Sequence, residues 1–409
     1  QSTLNSTVQA TLGQLPVYSG MGGLVKYPRV HSASLRGPGY SASSLENVMS
    51  MYSLDTGMRS SVPELIRRAE IEGAVLSIEE IEELLTIADP AELDLLWQAA
   101  NRVRAELIGS DIWMRGLLEF SNVCRCNCLY CGLRADNTGI TRYRMSSAQI
   151  LAAVDRIAKA GIGTVVLQSG EDPYWTAERL VSLIEAIKRR HDMAVTLSIG
   201  NRTESELAEF RRAGADRFLI RHETANPSLY KEFHPDSTLE DRVRQLRALK
   251  DMGFETGSGC LVGLPGQTTA DLSSDIALAR ELNVDMFGVG PFIPHPDTPL
   301  REASGGTALM TYKMIAVARL VLRDVHIPVT TALSTLEEEG REKGWARGAN
   351  IVMPNATPSP YRAQYELYKN KRCIDDTLEH CLGCLSRRIS SVNRTLGYGR
   401  GGSLKKGGQ

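Results

Sequence analysis

The sequence predicts an α/β fold of (βα)8 TIM-barrel type, preceded by helices. Three observations carry this. Eight short apolar runs recur, amphipathic helical stretches separate most of them, and polar residues gather where the runs end. From about Val62 to Leu107 the apolar spacing is helical, with an acidic start at Ser77-Ile-Glu-Glu. Then come GLLEFSN (116–122), GTVVLQSG (163–170), AVTLSIG (194–200) and RFLIRHE (217–223). TGSGCLVGLP (256–265), MFGVGPF (286–292), IPVTTAL (327–333) and NIVMPN (350–355) complete the set. Near-continuous apolar runs suit parallel strands buried on both faces. A doubly wound open sheet competes, but its first strand is usually followed by a glycine-rich phosphate turn. Here cysteines occupy that place.

The predicted organisation is a leader over 1–60, helices over 61–111, the barrel over 112–372, a cysteine-bearing segment over 373–396, and a flexible tail or linker over 397–409. With 409 residues, 42% of them hydrophobic, the chain can bury a large core. Lys and Arg (47) balance Asp and Glu (48), so composition lends no support to nucleic-acid or anionic-membrane binding. No apolar run reaches the ~20 residues of a spanning helix. Residues 1–45 hold no Asp or Glu and only three Lys or Arg, the bias of an organellar transit peptide or a disordered leader.

Three cysteines fall at C-x3-C-x2-C spacing in EFSNVCRCNCLYCGLR: Cys124, Cys128 and Cys131. A [4Fe–4S] cube takes four ligands. Three thiolates leave one iron open for a small molecule. Structural zinc is the alternative, but it asks for a second ligand pair at its own spacing, and none lies nearby. Cys126 is out of register and reads as a spare thiol. A second group, Cys373-x7-Cys381-x2-Cys384, offers three more ligands, with zinc and His380 as the competing reading. Cys260 suits a buried core thiol. Two clusters among eight cysteines imply a reducing compartment rather than a disulfide framework.

The strings FSNVCRCNCLYCGLRADN, RYRMS, VLQSGEDPY, RHETANP, VGLPGQT, GPFIPHPDTPL, VTTAL and MPNATPSPYR lie between Ile112 and Cys384 in one order. On them the chain resembles the radical S-adenosylmethionine (SAM) superfamily, in its biotin synthase-like branch, and within it the HydE-type maturases of [FeFe]-hydrogenase. The resemblance implies that Cys124, Cys128 and Cys131 hold a [4Fe–4S] cluster whose open iron binds SAM, with Tyr130 beside the adenine. It places Ser169, Gly170 and Glu171 at the SAM amino group, Glu223 at the ribose hydroxyls and Arg242 at the carboxylate. Taken unaided, Gly-Glu reads as a turn and Arg242 as a solvated helix face.

For a substrate carboxylate the resemblance points to Thr196, Ser198, Arg221, Thr330, Thr331 and Tyr365, although β-branched Thr is also a plain strand former. It makes Cys373, Cys381 and Cys384 an accessory [2Fe–2S] or [4Fe–4S] site. The implied activity is reductive cleavage of SAM to a 5′-deoxyadenosyl radical that acts on a cysteine-bound iron carbonyl cyanide precursor of the diiron subcluster. The implied partners are HydG- and HydF-type maturases and a ferredoxin or flavodoxin electron donor. If the leader is a transit peptide, a chloroplast or hydrogenosome interior is expected, and otherwise the cytoplasm. Methylornithine synthase and biotin synthase chemistry, or a non-enzymatic Fe–S carrier, are the other readings. A carrier need not cleave SAM.

Overall fold

A computed structural model describes residues 61–71, 75–373 and 376–405. The expected leader lies outside these residues. Six strands form one wholly parallel sheet: β2 (Gly116–Ser121), β3 (Thr164–Ser169), β4 (Ala194–Ser198), β5 (Arg217–Leu219), β6 (Glu255–Val262) and β7 (Met286–Pro291), in that spatial order. Single bridges close the ring. Val289 meets Val329, Pro328 meets Ile351, and Asn355 returns to Leu117 on β2. The barrel is therefore closed by eight segments, the last two of them joined to their barrel neighbours only through isolated bridges.

The run 327–333, expected as a full strand, is the main departure. It pairs at isolated residues and then coils into a helix, Thr331–Leu336. Ala-Leu-Ser-Thr-Leu can turn as a helix as soon as no ladder partner follows. The eighth run is a strand only at β8 (Ile351–Val352). It pairs with an unanticipated β1 (Asp111–Met114), which also takes β9 (Thr395–Gly397) on its other side.

Three helices lead into the barrel: α1 (Val62–Glu70), α2 (Ile78–Thr86) and α3 (Pro90–Ile108). Ser77 and Glu80 close a capping box on α2, and Asp89 caps α3 ahead of Pro90. Between strands lie α4 (Ser147–Lys159), α5 (Ala177–Arg190), α6 (Glu204–Arg212), α7 (Pro227–Phe233), α8 (Leu239–Asp251), α9 (Thr269–Glu281) and α10 (Ala308–Leu322). The helix α2 packs on α9, and α3 packs on α10. Thr269 Oγ1 donates to Glu82 at 2.8 Å and Lys313 Nζ to the Leu85 carbonyl at 3.0 Å, so polar contacts fix the leading helices to the barrel wall. Among the described residues no helix is long and apolar enough to cross a membrane.

Residues 399–405, expected as part of a flexible tail, lie against the N-terminal end of the barrel. The carbonyl of Arg400 accepts from Thr164 and Arg217, that of Gly401 from Arg115, and that of Gly402 pairs with His326 Nε2 at 2.7 Å. Ser403 bonds Glu255 and Asp285. Composition suggested flexibility, but buried guanidinium groups need acceptors, and these glycine-rich residues present bare carbonyls to them.

Candidate functional site

The cysteine loop leaves the C-terminal end of β2 and is tied down at several places. Asn122 donates to the carbonyls of Thr141 and Gln364, both at 2.8 Å. Arg142 spans the loop base, donating to the carbonyls of Asn122, Leu133, Arg134 and Asn137 at 2.7 to 3.0 Å. Leu129 N–H reaches Phe233 O, Gly132 N–H reaches Leu367 O, and Arg125 N–H reaches Glu171 O. Such a loop holds its thiols in place before any ligand arrives.

Cys124 Sγ accepts from the N–H of Glu171 at 3.3 Å and of Cys126 at 3.4 Å. The Cys126 thiol also donates to it, which is the main reason the Cys124 thiol is lowered to about 7. Burial pushes Cys128 up and takes Cys131 to about 12. Thiols so buried ionise only against a positive metal centre. Among the described residues no three His, Cys, Asp or Glu side chains converge as ligands to a single ion. Three loop thiols in register, with the Cys126 thiol engaged by Cys124, suit a cluster that keeps one iron open better than mononuclear zinc, which takes four ligands.

Ser169, Gly170 and Glu171 end β3 beside this loop. A Cβ on Gly170 would lie 2.3 Å from the Val123 carbonyl and 2.7 Å from Cys124 Cβ, so only glycine lets the loop close on the strand. Glu171 accepts from Asn201 N–H at 2.7 Å and pairs with Arg125 at 3.2 Å. Gly200 is left-handed, at φ 74°, and the Glu171 side chain covers its bare Cα.

After β5, Glu223 adopts φ 65°, an unfavourable state for a residue with a side chain. The turn is held from behind. His222 Nδ1 meets Ser258 Oγ at 2.9 Å, its Nε2 lies 3.3 Å from Asp275, and Asp275 accepts from the N–H of Ala225. Glu223 is thereby aimed inward, paired with Arg221 at 3.2 Å through one oxygen while the other is buried without a partner. Arg242, on α8, donates to the Arg221 carbonyl at 3.0 Å, and its Nε is also buried and unpartnered. Glu223 and Arg242 both bear on the Cys128 thiol, and Glu223 and Arg221 on the Tyr130 hydroxyl, so strand ends and cysteine loop meet.

Tyr130 hydrogen-bonds His234 Nε2 at 2.8 Å, and His234 Nδ1 meets the Tyr230 carbonyl at 3.0 Å. A carbonyl only accepts, so Nδ1 carries the proton and the tyrosine hydroxyl donates to Nε2. Burial lowers His234 to about 4, which keeps it neutral.

The remaining expected residues are not all at one level: Thr196 lies mid-strand on β4, level with the first residue of β5 and beside a small cavity lined by Arg115 and Arg217, below the rim. Thr196 Oγ1 and Thr330 Oγ1 are buried without partners, Ser198 ends β4, and Tyr365 is buried in the segment that follows the barrel. Thr330 and Thr331 lie at the start of the 331–336 helix rather than on a strand. Buried polar atoms ordinarily have partners. Those of Glu223, Arg242, Thr196 and Thr330 fit a polar ligand such as SAM or an amino acid. His234, Arg142, Gly200, Asp275 and His222 were not singled out from the sequence. The RYRMS and RHETANP strings contain two of them, but their roles are contacts made across the fold.

Residues 118–279 match the model of the radical SAM superfamily. The [FeFe] hydrogenase maturase subunit HydE of Thermotoga maritima is 44% identical over 79% of this chain and 93% of its own length. The chain belongs to the HydE family. It is a radical SAM enzyme, and the family implies a [4Fe–4S] cluster and SAM as its cofactors. A 3-methylornithine synthase of Methanosarcina acetivorans is 29% identical over 69% of this chain and 80% of its own. The crystal structure of methylornithine synthase superposes with a TM-score of 0.72 at 26% identity, covering 81% of this chain and 97% of that one. HydE membership and this fold agree with the expected TIM-type barrel.

The second cysteine group lies at the C-terminal end. Cys381 and Cys384 are one helical turn apart on a helix, Leu378–Ser391, and Cys373 precedes it at φ 61°. The Arg362 guanidinium donates to the carbonyls of Cys373 and Asp376, and burial takes the Cys381 thiol to about 11, against the pull of Arg341. His380 is engaged by Asp376 at 2.7 Å, with its side chain 69% exposed.

Proposed function

We propose that this enzyme acts in maturation of [FeFe]-hydrogenase, on a cysteine-bound iron carbonyl cyanide precursor of the diiron subcluster. When bound, the reduced cluster and SAM supply a 5′-deoxyadenosyl radical. Cys124, Cys128 and Cys131 hold the cluster, Tyr130 flanks the adenine, and Ser169, Gly170 and Glu171 face the methionine amino group. Glu223 takes the ribose hydroxyls and Arg242 the carboxylate. Arg221 grips the cysteine carboxylate of the substrate, with Thr196, Ser198, Thr330, Thr331 and Tyr365 around it.

The observation that carries this reading is Glu223. A carboxylate held in a left-handed turn, bonded to Arg221 on one side and bare on the other, is a preorganised acceptor for hydroxyls. HydG- and HydF-type maturases are the proposed supplier and recipient, and a ferredoxin or flavodoxin the electron source. Cys373, Cys381 and Cys384 are proposed to hold an accessory Fe–S cluster; His380, facing solvent and bonded to Asp376, is a poor fourth zinc ligand.

The test is EPR of the anaerobically reconstituted, dithionite-reduced protein with and without SAM, followed by chromatography for 5′-deoxyadenosine, in wild type and Cys128→Ala. A SAM-perturbed [4Fe–4S]+ signal, with nucleoside formation lost in the variant and stimulated by the iron–cysteine compound, is expected. A full cluster indifferent to SAM would point to a carrier. Nucleoside formation stimulated by lysine alone would point to the methylornithine synthase reaction.

A further inference from the structure

Inside the barrel one ion pair is unaccounted for by the cofactor residues or the substrate residues named above. Glu119 is the only charged side chain in the β2 run, and Lys371 Nζ reaches its Oε1 at 2.6 Å, with the two side chains 1% and 8% exposed. The second carboxylate oxygen accepts from Asn355 Nδ2 at 2.9 Å, and the backbone of Glu119 is held by Thr357 and Tyr143. A pair this deep in the protein is seldom kept for stability, because well-packed apolar groups serve as well. Its geometry suggests what it is for. Lys371 Nζ also donates to the carbonyl of Tyr365 at 2.9 Å and lies 5.0 Å from the centre of its ring. The one ammonium therefore grips the backbone of Tyr365, its ring face and the wall of the barrel.

The same segment is tied from the other end. Arg362, itself buried, donates to the carbonyls of Asn355, Thr357, Cys373 and Asp376. The stretch from 363 to 373 is thus a short loop pinned at its start by Arg362 and near its end by Lys371, with Tyr365 held between.

We infer that Lys371 and Glu119 are positioning residues that seat Tyr365 against the substrate. This rests on the reading of Tyr365 as a substrate-lining residue and adds the pair that places it. Removing the latch loosens the 363–373 segment, which among the described residues is hydrogen-bonded to the cysteine loop only through Asn122 at the Gln364 carbonyl and the Gly132 N–H at the Leu367 carbonyl. Arg142 and the Phe233 and Glu171 carbonyls still hold the loop. Mispositioning of this kind raises KM for the iron–cysteine compound and leaves more SAM cleaved without product.

The experiment compares reconstituted wild type, Lys371→Met, Glu119→Gln and Lys371→Arg. Amide hydrogen exchange is read over 363–373 and over the cysteine loop, SAM binding by its effect on the EPR signal, and KM with the iron–cysteine compound. Expected are faster exchange over 363–373 and at the Gly132 amide that bonds the Leu367 carbonyl, with the rest of the cysteine loop and SAM binding unchanged, and KM raised about tenfold or more in Lys371→Met and Glu119→Gln. Lys371→Arg, which keeps the charge, recovers most of both. Native exchange in Lys371→Met, or faster exchange with an unchanged KM, overturns the proposal. Absence of wild-type turnover counts against the assigned substrate, and the exchange of 363–373 then decides the latch by itself. Should Lys371→Met fail to fold, Glu119→Gln, which keeps shape and a hydrogen bond, carries the comparison.

Discussion

The hydroxyl of Tyr130, next to Cys131 on the cysteine loop, donates to Nε2 of His234 at 2.8 Å. A residue on the cysteine loop is thereby oriented by the turn that ends α7, and the histidine is neutral because it is buried.

The first prediction follows from that neutrality. Burial is the main cause of the lowered His234 value of about 4; Glu223 opposes it, and Arg242 and Arg221 add to it. The unfolded chain takes up this proton near 6.5, the folded one only near 4, so the unfolded state binds more protons in between. Stability is fully present above about 6.5 and falls as pH drops through that window, by about 2 kcal/mol at about pH 5. Urea unfolding of the metal-free protein at about pH 7 and about pH 5 should show it, and His234→Gln should flatten the slope. An unchanged slope in His234→Gln would assign the pH dependence to other groups.

Gly170→Ala is expected to lose iron. The new methyl would meet Val123 O at 2.3 Å and push the Cys124 segment away from β3. Iron per chain after reconstitution is the measurement. Gly200→Ala acts differently: its methyl runs into the Glu171 side chain, and a left-handed alanine costs about 1–2 kcal/mol. It should keep iron while weakening SAM binding, seen as a smaller EPR perturbation at equal SAM.

Arg142→Met removes the group that gathers four loop carbonyls. Charge-assisted bonds are not additive here, and the expected loss is about 2–4 kcal/mol. Chemical denaturation should report it, together with faster cluster loss on exposure to a chelator. A stable variant with a slowly released cluster would make Arg142 dispensable.

Deleting residues 399–405 strips acceptors from Arg115, Arg217 and His326. Leaving the two buried guanidinium groups and the His326 imidazole short of acceptors should cost about 3 kcal/mol or more. A lowered denaturation midpoint is expected, and an unchanged midpoint would show the docked tail to be energetically idle.

Much of this was legible in the sequence because it is local. Three cysteines at fixed spacing within one loop, apolar runs ending in polar residues, and caps such as Ser77 with Glu80 are short-range patterns. They fold nearly the same way in any context that buries the runs. The (βα)8 class, the cysteine loop after the first barrel strand and the strand-end strings followed from them, and the HydE family was visible in those strings.

What only the tertiary structure decided involves partners far apart in the chain. Periodicity reported 327–333 as a strand because it is apolar and β-branched, yet strand length depends on neighbours, and only single residues there find any. The tail at 399–405 looked flexible because glycine-rich composition is silent about distant guanidinium groups. Nothing local in the sequence joins Glu119 to Lys371, which stands 2.6 Å away across 252 positions of sequence. A sequence fixes which groups can ionise, bond or pack, since those are properties of single residues and short spacings. Which of them meet, and which buried polar atoms remain open for a ligand, is set by closure of the barrel, which brings residues from all its strand ends to one rim.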